Sequence, residues 1–226
     1  MQTNERFQMR LRRMIGVALF TALAYVVMLL IHFPVSFLTL DVKDAIITLC
    51  GLCFGPLAAL FSSATVALVE MVTVSSTGPY GLLMNFLGTA SFSVTVSLIY
   101  RWRKNFPAAI IGLISGIFAM TAVMMLFNLI VTPRYMHVDV VTVRNMIPTL
   151  LLPFNLTKAL FNAAVVLLLY KPVSQALQKT GFLPRSEAKF RFDKRTAVVV
   201  VVSVALIAVS LVLIFRVLGG TFRFGV

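Results

Sequence analysis

Seven apolar runs divide the chain, and its charged residues cluster at the ends of those runs. A helix needs about 20 apolar residues to cross the hydrocarbon core of a bilayer. Lipid offers no hydrogen-bond partner to a bare backbone, so such runs must become helices or parts of a closed barrel. They fall at about 14–32, 45–54, 57–72, 80–100, 108–131, 149–170 and 196–215. Composition agrees: 60% of residues are hydrophobic and 12% charged, against about 45–50% and 25% in soluble domains. Soluble, disordered and fibrous classes are thereby excluded, and the expected fold is an all-α integral membrane protein.

The second and third runs are short for a straight crossing of a roughly 30 Å core. They must tilt, or be extended by ordered loop packed against protein. Non-helical backbone is tolerated at membrane depth only where it is buried or lines a cavity. The 33–44 segment, with Pro34, Asp41, Lys43 and Asp44, is therefore a candidate wall or lid of a cavity. Gly55-Pro56 ends one helix and starts the next, and Ser75 to Pro79 has loop chemistry.

The net charge of +13 would suggest nucleic acid in a soluble protein. Its placement here argues for orientation in a membrane instead. With the first residues inside, segments 1–13, 55–56, 101–107 and 171–195 face the cytoplasm and hold 14 of the 20 Lys and Arg. Five lie outside (Lys43, Arg134, Arg144, Arg216 and Arg223), and Lys158 falls inside the sixth run. This asymmetry follows the positive-inside rule with no span reversed. The expected organisation is a basic cytoplasmic segment 1–13, a six-helix membrane domain 14–170, a basic cytoplasmic linker 171–195, a further transmembrane helix 196–215 and an outer tail 216–226. Arg10, Arg12 and Arg13 ahead of an apolar run resemble a signal peptide. The run is longer than a signal core and lacks a small-residue cleavage site, so it reads as a retained helix.

Catalytic chemistry is poorly represented. The chain has no phosphate-binding P-loop, no H-E-x-x-H and no G-x-S-x-G. His32 and His137 read as interfacial or loop residues, and Cys50 and Cys53 as packing residues inside an apolar run. No metal site is expected and no enzyme. The acidic residues Asp41, Asp44, Glu70 and Asp139 are all assigned to or near outer loops, which argues against a proton-coupled carrier.

The informative polar residues lie within spans. Asn128 is near the outer end of the fifth run; Asn155, Lys158 and Asn162 share one face of the sixth at spacings of three and four. Lys158 is roughly 14 Å or more along the helix from either end at about 1.5 Å per residue, too far for its ammonium to reach the interface easily. Intramembrane ionisable residues usually face a cavity or a partner, so these residues are expected to form a ligand site, with Lys158 donating to a ligand carbonyl. In the first run Ala18 and Ala22 form a small-x-x-x-small face that lets another helix approach closely.

Read together, Phe33-Pro34, Phe37-Leu38-Thr39-Leu40-Asp41-x-x-Asp44, Phe54-Gly55-Pro56-Leu57-Ala58, Gly81-x-x-x-Asn85-Phe86-Leu87, Asn128-x-x-x-x-Pro133-x-Tyr135 and Pro153-Phe154-Asn155-x-x-Lys158 resemble the substrate-binding S components of energy-coupling factor (ECF) transporters. Over about residues 10–175 they are most similar to the riboflavin-binding (RibU) type. The resemblance implies a six-helix vitamin-capture subunit in the bacterial plasma membrane. It would bind riboflavin as transported ligand on the outer side, without a cofactor. A separate transmembrane coupling protein and two ATP-binding subunits would supply the energy. It implies that Asn128, Asn155 and Lys158 hold the flavin ring, that Leu38, Thr39 and Leu40 close over it, and that Ala18 and Ala22 dock on the coupling protein. Two features depart from the pattern. Lys43 stands where a small polar residue is expected, with no proline soon after Asp44, and the run 196–215 has no counterpart.

An isoalloxazine has an apolar end and a pyrimidine-like edge of acceptors and a donor. Asparagine amides, each offering donor and acceptor, and a lysine suit that edge, while Phe, Leu and Met suit the remainder.

Overall fold

The structure, a computed structural model, describes residues 2–183 and 194–224. Most of the expected linker, 184–193, lies outside the described residues, as do residue 1 and the last two of the outer tail.

The protein is a helical bundle closed at one end by a small sheet. Helix α1 spans Gln2–Leu30 and passes directly into a hairpin of β1, Ile31–Val35, and β2, Leu38–Asp41. The hairpin is antiparallel with His32 opposite Asp41 and Val35 opposite Leu38. Ser36 makes the turn with a left-handed φ of 55°. The segment expected as an irregular loop is thus a hairpin, which satisfies its own backbone as burial requires.

Helices α2 (Lys43–Phe54) and α3 (Pro56–Thr73) meet at Gly55, whose φ of 99° is one that side chains rarely adopt. Then follow α4, Gly78–Arg103, and α5, Phe106–Met136. A short α6, Val140–Met146, runs through a π turn, Ile147–Leu151, into α7, Leu152–Lys179. Helix α7 therefore continues well past Tyr170, and the start of the basic stretch is helical. Helix α8, Lys194–Val212, ends in a second π turn, Leu213–Val217, and leads to β3, Arg223–Phe224.

Among the described residues six helical segments are long and apolar enough to cross a membrane. Helix α2 is the exception. Its 12 residues extend roughly 18 Å, and every residue except Cys53 is buried. It is the axial core helix, surrounded by α1, α3, α4 and α7, so its apolar run reflects protein burial rather than lipid contact. Its N-cap residue Val42 makes no side-chain bond; the Lys43 amide donates to Asp41 Oδ1 at 3.1 Å and the Ala45 amide to Asn162 Oδ1 of α7 at 2.9 Å. Its last carbonyl, on Phe54, accepts from the Arg13 guanidinium, a cation suited to a helix C-terminus. A Cβ on Gly16 would lie 2.5 Å from the Phe54 ring, so glycine there lets α1 pack closely on α2.

Candidate functional site

The basic residues Arg10–Arg13, Arg101–Lys104 and Lys171–Lys179 share one end of the bundle. A cavity of about 290 Å³ opens toward the other end. It lies near the lower edge of the roughly 300–1,000 Å³ typical of small-molecule sites. The hairpin supplies one wall through His32, Leu38, Thr39 and Asp41. The α3–α4 connection and α4 supply a second, with Tyr80, Met84, Asn85, Gly88 and Thr89; α5 and α7 complete it with Met120, Met124, Asn128, Tyr135, Phe154, Asn155 and Lys158. The rings of Tyr80 and Tyr135 meet with centroids 6.3 Å apart.

The structure brings Asn128, Asn155, Lys158, Leu38 and Thr39 to this one cavity. Leu40 is elsewhere: it points to the strand face opposite Thr39 and Asp41 and is fully buried in the hydrophobic core. His32 does reach the lining. Asn162, on the Lys158 face of α7, serves the backbone instead; its Nδ2 donates to Asp41 O and Lys158 O, both at 3.0 Å.

Asn128 and Asn155 are each 1% exposed. Asn128 Nδ2 donates to Met124 O at 2.7 Å and its Oδ1 accepts from Thr132 Oγ1 at 2.8 Å. Asn155 Nδ2 donates to Leu151 O at 2.8 Å. That carbonyl belongs to the π turn, where widened backbone exposes groups an α-helix would use. These bonds fix the orientation of both amides, and each Nδ2 has a second N–H.

Lys158 enters a buried ionic cluster that linear spacing does not reveal. Its Nζ donates to Thr39 O at 3.0 Å and to Asp41 Oδ2 at 3.1 Å, and lies 3.7 Å from Asp44 Oδ2. Lys43 Nζ is 3.2 Å from Asp41 Oδ2 and 2.8 Å from Glu70 Oε2. Asn85 Nδ2 donates to Glu70 Oε1 at 2.8 Å, and Thr89 Oγ1 to Asp44 Oδ1 at 2.6 Å. Asp44 Oδ2 is buried and has no hydrogen-bond donor among the described residues. Asp41, Asp44 and Glu70 are therefore grouped, although they were expected to remain apart near outer loops. Burial alone would raise the Asp41 carboxyl, but Lys158 and Lys43 together hold it below the usual carboxylate range. The unmet Asp44 oxygen favours a ligand that brings a hydrogen-bond donor. The departure at Lys43 was the one local signal of this arrangement; Glu70, Asn85 and Thr89 gave none.

Ala18 and Ala22 lie on the opposite side of α1 from the core. They line an open groove of about 650 Å³ between α1 and α3, with Met14, Val17, Thr21, Leu57 and Phe61.

Comparison with known proteins gives three findings. The family described as "ECF transporter, substrate-specific component" matches residues 12–174. The "Riboflavin transporter RibU" of Staphylococcus aureus (strain TCH60) is 30% identical over 178 residues, covering 74% of this chain and 93% of that protein. A solved structure described as the S component of a bacterial ECF transporter superposes with a TM-score of 0.65 at 29% identity, over 75% of this chain and 99% of that one.

Proposed function

The chain belongs to the substrate-specific components of ECF transporters, and from that membership we propose that it captures riboflavin at the outer membrane face for an ATP-driven importer. The observation that carries this reading is the convergence of Asn128, Asn155 and Lys158 on one cavity, joined to the riboflavin transporter relative. The two amides address the pyrimidine-like edge of the flavin ring. Met84, Met120, Met124 and Phe154 pack its apolar part, and the hydroxyls of the ribityl chain supply donors to the carboxylate end, where Asp44 Oδ2 lacks one. The protein acts as a binding subunit rather than an enzyme. Energy comes from a coupling protein and two ATP-binding subunits, and the α1–α3 groove containing Ala18 and Ala22 receives the coupling protein.

Purification in detergent and an absorbance spectrum test the ligand. A flavin spectrum, or saturable quenching of added riboflavin fluorescence, is expected; a colourless protein that leaves riboflavin fluorescence unchanged refutes the reading. Riboflavin uptake by this chain alone in proteoliposomes under an ion gradient would instead make it a self-sufficient carrier. Docking is tested by Ala18→Leu and Ala22→Leu. Both should abolish co-purification with the coupling protein and leave flavin affinity unchanged. Equal loss of both properties would show that the alanines only hold the bundle together.

A further inference from the structure

The match to the family ends at residue 174, yet the segment beyond it reaches back across the whole bundle to the cavity wall. Strand β3 adds to β1, with Ile31 opposite Phe224 and His32 opposite Arg223, so that β1 becomes the central strand in the order β2-β1-β3. The Thr221 amide donates to Pro34 O at 3.1 Å. Behind the sheet, Phe33 lies 5.8 Å from Phe215 and 5.4 Å from Phe222, ring centre to ring centre, and 6.2 Å from Phe161. Phe161 is on α7, three residues after Lys158. A Cβ on Gly220 would lie 2.6 Å from Ile214 Cγ2 and 2.9 Å from Val35 Cγ2, so the chain passes under the hairpin where only a glycine fits.

A two-stranded hairpin is marginal alone, and its free edge is where it peels or pairs. Here the hairpin is also the wall that must move if a ligand is to leave past Leu38 and Thr39. We propose that residues 213–224 clamp the hairpin and set how slowly the cavity exchanges its ligand. The clamp acts through backbone pairing on β1 and through the cluster of Phe33, Phe161, Phe215 and Phe222, whose rings lie outside the cavity lining. Its strength therefore affects ligand exchange without altering the recognition groups.

Two variants test this, one a chain ending at Val217 and the other Gly220→Val, which displaces the tail while keeping it present. Hydrogen exchange of the 31–41 amides, read in the ligand-free protein in detergent, does not depend on what the ligand is. Dissociation of riboflavin, read by fluorescence recovery on dilution, rests on the proposed function. Both rates are expected to rise about tenfold or more, the scale of losing one or two net hydrogen bonds from the closed form alone. Riboflavin dissociation unchanged from the parent in both variants overturns the clamp. Should the parent bind no riboflavin, the riboflavin reading falls and hairpin exchange decides the clamp by itself. Should the shortened chain fail to fold, Gly220→Val carries the test.

Discussion

At one end of the cavity Asn128 and Asn155 are anchored one turn back on their own helices, to Met124 O and Leu151 O. At the ionic end Lys158 is held by Thr39 and Asp41, 119 and 117 residues away, and Lys43 by Glu70, 27 residues away on another helix. The amide end keeps its geometry as long as α5 and α7 are helical. The ionic end exists only when hairpin, α2, α3 and α7 have assembled. A substitution at the first should act on binding alone, whereas one at the second should act on binding and on the fold together.

Lys158→Met should have the largest effect. It leaves Asp41 with Lys43 alone, strips Asp44 of its neighbouring ammonium and unties the hairpin from α7. Breaking a buried ion pair from one side costs about 3–5 kcal/mol, and thermal unfolding of the ligand-free protein in detergent should fall accordingly, with riboflavin binding lost. Adding Asp41→Asn should restore part of the thermal stability but not the binding. If Lys158→Met unfolds like the parent, the ionic end is not structural and the contrast with the amide end fails.

Lys43→Met should come next, at roughly 1.5–3 kcal/mol of stability, the range of a hydrogen bond to a charged group. Glu70 is partly open at this point and recovers solvent, which limits the loss. The substitution also gives a pH signature. Asp41 is held below its ordinary range, so its ion pairs stabilise the protein at neutral pH. That stabilisation is lost only as pH falls through the folded-state value, below the unfolded one of about 3.9. Without Lys43 one of the two cations is gone, and the acid limb of the stability profile should move to higher pH. An unmoved acid limb would mean that Lys158 alone sets the Asp41 carboxyl.

The same contrast explains what the sequence made legible. Helical runs, the Gly55-Pro56 junction and the face shared by Asn155, Lys158 and Asn162 are all periodicities, and periodicity is local. The hairpin was hidden because Pro34 and the polar residues around Asp41 read as loop chemistry, while its pairing is fixed by position over the cavity. Helix α2 read as a short span because apolar residues look alike whether lipid or protein covers them. The cluster of Asp41, Asp44, Glu70 and Lys43 could not be read, because each carboxylate taken singly belongs equally well to an outer loop. Lys43 was visible as a departure, but its partner Glu70, 27 residues away on another helix, was not.

The smallest expected effect is at the amide end, and it is the sharpest test of the comparison. Asn155→Ala removes an amide that, among the described residues, bonds only to Leu151 O of the π turn before α7, and Asn128→Ala one bonded to Met124 and Thr132 on its own helix. In both, the nearest groups left behind are helix carbonyls and a hydroxyl, which water entering the cavity can satisfy. Ligand-free stability should therefore change by no more than about 1 kcal/mol, the net value of one neutral hydrogen bond. Riboflavin binding should weaken by about 1–3 kcal/mol, because a polar edge of the ligand then goes unpaired in a buried site, and one unit of 1.4 kcal/mol is a tenfold change in Kd. Asp41→Asn offers the matched control at the ionic end, where stability and affinity should fall together. Fluorescence titration and thermal unfolding on the same preparations separate the two patterns. Asparagine variants that lose stability in proportion to affinity would show that the amides, like the lysines, hold the fold rather than the ligand.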